Sequence, residues 1–548
     1  GENFVLDGTL SSGGSALPKK SGASSIKSFT GDKTVTVRPY VQFKYADTDA
    51  TLRIVIDMNL RQEKLEFTAD QKEYAARTSC HDPSIFKDKD GTYYIFGTHM
   101  GLSSSPDLTN WTNMDSEFRA SFTEEEKTKI RAWNKDGNGD WFGYLWAPDV
   151  IWSDELGKYC MYLSADGDDW ISNIVLLTAD EATGPYTYVD TVVYGGFTPD
   201  TAAETDVLNV LGTDELPDRY VTNGVENKKW GDKFPNCIDP CVFTDGEGGL
   251  WMSYGSWSGG IFLLKLDPKT GLRDNSVTYE TDDHSDAYFG RKLAGGWYVS
   301  GEASYIQKVG DYYYLFVTYG GLAAKEGYNM RVFRSNAPDG DYYDELGNSP
   351  LYDSWAQNFN QGIGVRLFGA YKWRSFSTGQ VAQGHNSAFV DDDGRIFLIY
   401  HTRTTDGTEG HFVRVHQLFV NENGWLVAAP YHTNGETLDN SLSAEDVAGT
   451  YEVMLHRLDI DYANYDVVVS DTIELSGDGS VSGRYSGSWS YDPGNCYITL
   501  ELTGGNDDIY KGVALPMKIE ESNITTLVFT TLGENGQLTL WGSKPLAS

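Results

Sequence analysis

Three acidic residues, Asp82, Asp239 and Glu302, stand in the segments HDPSI, IDPCVF and GEASYI, far apart along the chain. If folding gathers them in one cleft, the three carboxylates repel, a cost that only function or a cation offsets. Crowded like charges also drive pKa values apart, so one group keeps a proton while another stays ionised. That division supplies a general acid and a general base, the pair that glycoside hydrolysis requires. Taken singly, Asp before Pro is an ordinary turn residue, and most of the 79 Asp and Glu residues are solvated. Only the elements that position these acids can make them a site.

Those elements form a fivefold repeat. HDPSIFKDKDGTYYIFGTH from His81, WAPDVIWSDELGKYCMYLSA from Trp146, IDPCVFTDGEGGLWMSYGS from Ile238, EASYIQKVGDYYYLFVTYG from Glu302 and HNSAFVDDDGRIFLIYHTR from His385 share one pattern. Each alternates apolar and polar residues on both sides of an Asp/Gly turn, the signature of a β-hairpin. Aligned on Pro83, Pro148, Pro240, Ser304 and Ser387, the copies are separated by 65, 92, 64 and 83 residues. Further strands are expected between them at NIVLLTA, IFLLKLD and NMRVFRS. About four strands per unit, five times over, reads as an all-β, five-bladed β-propeller. In a propeller the innermost strands start around one mouth of the axis. His81, Asp82, Trp146, Asp239, Glu302, His385 and Asn386 are therefore expected to converge. The matching positions Ala147, Ala303 and Asn386 show that the repeat itself does not demand an acid.

The rest of the chain bounds this reading. It has 548 residues, 43 Lys+Arg against 79 Asp+Glu and a net charge of −36, which disfavours nucleic acid and anionic lipid as partners. No stretch is long and apolar enough to insert in a membrane. The chain opens at Gly1 with neither Met nor a signal-peptide pattern, which reads as a processed or trimmed form. Aromatics at 14% with 59 Gly favour strands and tight turns. They also suit stacking on sugar faces. Five scattered cysteines, Cys80, Cys160, Cys237, Cys241 and Cys496, form no disulfide framework and read as buried thiols. Residues 1–78 form a β-rich extension without an assigned role, 79–435 the propeller, and 447–548 a C-terminal all-β barrel or sandwich. Trp489 and Trp541 of that last domain are expected in its core. Helix is scarce, with its best start at Ser121 or Thr123 ahead of EEEKTKI.

The blocks HDPSI, LWAPDVIW, CIDPCVF with MSYGSWSGGI, GEASYI with DYYYLF, and GHNSAF with IYHTR occur in an order that resembles glycoside hydrolase family 43. The likeness is greatest to its two-domain arabinanases. The resemblance covers roughly residues 80–430 and implies an inverting hydrolase of arabinan, cutting α-1,5-L-arabinofuranosyl linkages within the chain. It implies that Asp82 is the general base, Glu302 the general acid, and Asp239 the group that orients the acid and tunes its pKa. It makes His385 the ligand of a channel metal, calcium, otherwise held mainly by water. A His ligand is unusual for so hard a cation, and the residues alone would not suggest it. Trp146, Ser256, Trp257, His81 and Arg403 are the expected sugar contacts.

Three alternatives stand beside this reading. The long insertions at 101–145 and 184–235 could wall the cleft into the pocket of an exo-acting α-L-arabinofuranosidase or β-xylosidase. A non-catalytic carbohydrate-binding propeller would use Trp146 and Trp257 but not three acids. A metal-dependent phosphoesterase would need a fuller ligand cluster than one His. Asn134–Asp140 begins like an EF-hand loop, but Leu145 stands where Glu is required, so it reads as a polar rim loop. A monomer acting outside the cell or in the periplasm is expected, because polysaccharides are extracellular.

Overall fold

The computed structural model describes residues 67–545 except 74, 135–139, 168–169, 225–229, 353–361, 458–466 and 505–506. Ahead of these it describes Leu65 and the backbone of six short strands. The six pair with one another: Ser11–Ser12 with Ser15–Ala16, Thr34–Val37 with Met58–Arg61, and Tyr40–Lys44 with Thr51–Val55. They belong to a unit of their own, Gly1–Glu66, while Phe67–Ser548 forms one compact body. Most of the EF-hand-like loop lies outside the described residues.

Each of the five expected hairpins is present and opens a blade. Blade one begins with Ser84–Lys87 and Tyr93–Gly97, blade two with Leu145–Ser153 and Lys158–Ala165, and blade three with Cys241–Thr244 and Leu250–Tyr254. Blade four begins with Glu302–Val309 and Tyr312–Tyr319, blade five with Gln380–Val390 and Ile396–Thr404. The third strands of blades two, three and four are Asn173–Ala179, Ile261–Leu266 and Asn329–Ser335, as their apolar runs predict. The first strand of each blade touches the first strands of both neighbours, blade five returning to blade one, so five inner strands close a ring about one axis. Blade four departs from the four-strand expectation. Among the described residues it has three strands, its outer edge being met by isolated pairings at Tyr343 and Val365.

Apolar residues fill the spaces between blades. Cys80, Ile85, Ile95 and Trp111 of the first blade region pack with Phe397, Ile399, Val413 and Val415 of the fifth, which seals the ring. Ser387 Oγ adds polar stitching there. It accepts from the Ile85 N–H at 3.0 Å and donates to the Pro83 carbonyl at 2.7 Å. All five cysteines are free and buried. The expected helix spans Glu124–Ile130, and its N-cap Thr123 accepts from the Glu126 N–H.

From Gly449 the chain forms a closed eight-stranded barrel. The segment expected to link it to the propeller ends in a helical turn, Ala444–Val447, held by a capping box from Ser443. The barrel docks on blade five. Trp541 is fully buried and donates its indole N–H to the Ala428 carbonyl at 2.8 Å. Tyr431 donates to Ser543 Oγ, and the segment Tyr371–Lys372 pairs in parallel with Val468–Val469. Trp489 is buried as well, so both tryptophans are core residues. Residues just past the N-terminal unit strap the barrel beside Glu520, through a bridge of Lys72 with Ser522 and an ion pair of Glu73 with Lys518.

Buried polar groups run through this junction. Arg414, on the third strand of blade five, holds Glu520 of the barrel with both guanidinium ends. Burial would raise the Glu520 carboxyl, but Arg414 outweighs it and brings it down to about 2. His416 and His432 are pushed down to about 3, first by burial and then by Arg414, and burial also drives His456 well below its usual value. The His456 Nδ1 atom accepts from the Gly369 N–H at 3.2 Å, so it is held neutral.

The native state here takes up protons only in strong acid, whereas the unfolded chain takes them up at the ordinary His and carboxylate values. The stabilisation is complete above about pH 6.5 and is lost progressively as pH falls toward 3, with Glu520 adding its share below about 4.5. Thermal midpoints measured from pH 8 to 4 should therefore fall below pH 6.5, and a flat profile would contradict neutral burial of these histidines. Arg414→Met, which strands the Glu520 charge, should cost about 3–5 kcal/mol in denaturant unfolding.

Candidate active site

On or just ahead of every inner strand one residue takes the left-handed backbone conformation: Asp82 at φ 56°, Ala147 at 38°, Asp239 at 57°, Ala303 at 56° and, midway along its strand, His385 at 48°. Two residues on, Ser84, Asp149, Cys241, Tyr305 and Ser387 pair with the second strands, so the five positions correspond. The fifth copy is therefore set one residue earlier than the alignment on Ser387 supposes. His385, rather than Asn386, is the counterpart of Asp82, and Asn386 stands opposite Pro83. Left-handed turns are costly for residues with a Cβ. Here they occur at the mouth of a small axial cavity lined by Asp82, Asp239, Ala147, Ala303 and His385. Deeper in the same cavity Asp149 accepts from Ser84 Oγ at 2.5 Å and the Val242 N–H at 2.6 Å, which ties blades one, two and three together. Burial lifts its carboxyl to about 6.

Asp82 is held from all sides. One carboxylate oxygen accepts from Thr98 Oγ1 and lies 2.8 Å from His81 Nδ1, and the other lies 2.8 Å from His385 Nδ1. Its backbone N–H donates to His401 Nδ1 at 3.3 Å. Burial alone would raise this carboxyl, but His385 and His81 outweigh it and keep Asp82 well below the usual carboxylate range. Glu302 is held as tightly. Tyr328 donates to Oε1, while Trp257 Nε1 at 2.9 Å and Ser256 Oγ at 3.3 Å donate to Oε2. Asp239 accepts from the Ala303 N–H at 3.1 Å, the peptide that follows Glu302, and receives its own backbone support from Ser164 Oγ. Burial, then the charges of Glu302 and Asp82, lift Asp239 to about 7. The two carboxylates thus part, Asp82 drawn to the ionised extreme by its histidines and Asp239 shifted upward chiefly by burial.

The expected sugar contacts fare differently. His81 reaches the site and is engaged with Asp82, and Ser256 and Trp257 are engaged with Glu302. Trp146, part-exposed, donates its indole N–H to the Gly143 carbonyl at 3.1 Å within its own loop. Arg403 is buried and paired with Glu409 at 3.0 Å. Thr98, Tyr328 and His401 are the site residues that the sequence reading misses. Thr98 follows the second strand of blade one in YYIFGTH, His401 lies within the second strand of blade five in IYHTR, and Tyr328 lies just ahead of a third strand.

For a metal, His385 offers one ring nitrogen, the other being turned to Asp82. Burial disfavours the charged ring, but Asp82 and Asp239 outweigh this and raise His385 to about 9, so the site calls for a positive charge there. Beside it Asn386 lines the axial cavity with its amide oxygen and nitrogen both buried and unpartnered among the described residues. A nitrogen, an amide oxygen and surrounding carboxylates fit a hard cation completed by water. A second gathering of ligand atoms, His81, Asp82 and His401, lies within 4.8 Å, but its members are already bonded to one another.

With this geometry in place, comparison with known proteins is direct. Residues 75–206 and 225–426 match the family model described as glycosyl hydrolases family 43, and residues 430–542 match its C-terminal lipocalin-like domain. An extracellular endo-alpha-(1->5)-L-arabinanase of Thermotoga petrophila is 35% identical over 85% of this chain and 93% of its own. A second protein of that name, from Bacillus subtilis, is 36% identical over 86% of this chain and 94% of its own. The crystal structure of endo-1,5-alpha-L-arabinanase from Thermotoga petrophila in complex with TRIS superposes with a TM-score of 0.72 at 34% identity, over 86% of this chain and all of that one. A five-bladed ring, three acids on its axis and matches over most of the length together make this chain a member of glycosyl hydrolases family 43.

Proposed function

We propose that the chain is an inverting endo-α-1,5-L-arabinanase, with Asp82 as general base and Glu302 as general acid. The observation that carries this reading is the asymmetry at the axis. Asp82 is kept ionised by His81 and His385, while Glu302 is anchored through both oxygens on the far side of the ring. Relatives matching over more than nine-tenths of their own length bear the endo-arabinanase name, which favours cutting within the polymer.

In this reading an arabinofuranosyl unit lies across the axial mouth. A water between the sugar and Asp82 gives a proton to the carboxylate and attacks the anomeric carbon. Glu302, entering the reaction protonated, delivers its proton to the departing glycosidic oxygen. The two groups must stand roughly 6.5–9.5 Å apart to leave room for that water. Blades one and four, which are not neighbours in the ring, suit such a gap. Asp239 holds the peptide after Glu302 and so orients that acid. Trp146 supplies a wall for the sugar.

Calcium fits His385, with Asn386 beside it and water completing the shell. When bound it would supply positive charge to offset the buried carboxylates. A single chain carries the whole ring, so the site needs no second copy. An exported location agrees with the extracellular names of the relatives. Among the described residues no helix is long and apolar enough to cross a membrane.

Asp82→Asn and Glu302→Gln should each lower the rate of reducing-end release from linear arabinan by about 10²–10⁴-fold while leaving the thermal midpoint near that of the parent. Asp239→Asn should lower kcat less, and unchanged rates in all three would remove the assignment. Rapid shortening of the polymer before single arabinose appears is expected of endo action, whereas arabinose as the first product would support the exo alternative. Elemental analysis should find calcium in the purified protein and markedly less in His385→Ala. Equal content in the two would place the ion elsewhere.

A further inference from the structure

Between the two reacting carboxylates stands a column of three rings. His81 stacks on His401 with ring centres 4.3 Å apart and planes inclined by 23°. His401 stacks in turn on Tyr328, with centres 5.6 Å apart and planes inclined by 21°. The outer rings are the ones that bond the acids, His81 to Asp82 and Tyr328 to Glu302. The middle ring has no exposed surface and hydrogen-bonds neither carboxylate; its Nδ1 accepts from the Asp82 backbone N–H at 3.3 Å. That bond places the proton of a neutral ring on Nε2. The column is also fixed from outside. His401 pairs across the sheet with Gly384, and a Cβ on Gly384 would come within 2.3 Å of the Tyr328 ring. Tyr328 therefore lies against bare backbone and cannot move toward it.

We propose that His401 is a positioning residue that sets the distance and mutual orientation of Asp82 and Glu302. The inference rests on the reading of those two as base and acid. Two successive spacings of 4.3 and 5.6 Å put the outer ring centres at most about 10 Å apart, the scale on which inverting carboxylates must be separated. Thinning the column lets the acids drift together or turn. Losing the Nδ1 acceptor frees the left-handed peptide of Asp82. Either displacement harms the chemical step and spares sugar binding, because His401 touches no solvent. A misplacement of about 1 Å is enough to cost about a hundredfold.

The test compares full-length His401→Ala, His401→Phe and Gly384→Ala with the parent on linear arabinan. His401→Ala removes ring and acceptor, His401→Phe keeps the ring alone, and Gly384→Ala pushes Tyr328 from the other side. Among variants that fold by circular dichroism, kcat should fall about tenfold to a hundredfold in His401→Ala and Gly384→Ala, and less in His401→Phe, with KM within about twofold. Adding Tyr328→Phe to His401→Ala should cost less than it does in the parent, since the column is already broken. Folded variants with parental kcat, losses confined to KM, or strict additivity would overturn the proposal. Asp82→Asn and Glu302→Gln run alongside separate the two claims. If these remain active, the base and acid reading has failed; if they are inactive while the column variants are not, only the role of His401 has failed.

Discussion

The site is organised by one backbone constraint, a left-handed residue on or just ahead of each inner strand. Five such turns accompany a ring that offers the axis two carboxylates, two methyls and an imidazole, with Glu302 one residue ahead of its blade's turn. The arrangement is doubly unfavourable, in conformation and in like charge. It persists because the surroundings over-determine it. Asp82 alone is fixed by Thr98, His81, His385 and, through its peptide, His401. Histidine charges hold Asp82 down while burial, more than repulsion, lifts Asp239, and that spread of proton affinities is the condition for acid–base work.

The C-terminal barrel belongs to the same account. It grips blade five through Arg414–Glu520, Trp541 and His456, and blade five brings His385, Asn386 and His401 to the axis. Blade five also closes the ring on blade one, whose first strand follows Asp82. In this protein the seam of the propeller runs beside the strongest carboxylate of the site. The barrel thus braces one side of that seam through contacts with blade five.

The strands and acids were legible because their signals are local. Alternation around Asp/Gly turns marks the hairpins, and repetition places Asp82, Asp239 and Glu302 at one mouth. Less was legible where contacts are long-range. Tyr328 and His401 lie outside the strand starts, and nothing nearby distinguishes them from core aromatics. Ser256 and Trp257 are polar and aromatic in the manner of sugar contacts, yet fold back on Glu302. The one-residue offset of the fifth copy escaped notice because Ser387 imitates Ser304, while the irregular pairing between Val381 and Ser387 shifts the register. Among the described residues blade four lacks a fourth strand, Tyr343 and Val365 meeting its third strand at single points.

The central claim is that water attacks from the Asp82 side while Glu302 releases the leaving group from the other, in one displacement. Proton NMR of the sugar first released from an α-linked arabino-oligosaccharide tests this most directly, before mutarotation scrambles the anomers. The account predicts the β-anomer as the initial product. An initial α-anomer would mean that a carboxylate bonds the sugar and the geometry described here works by double displacement.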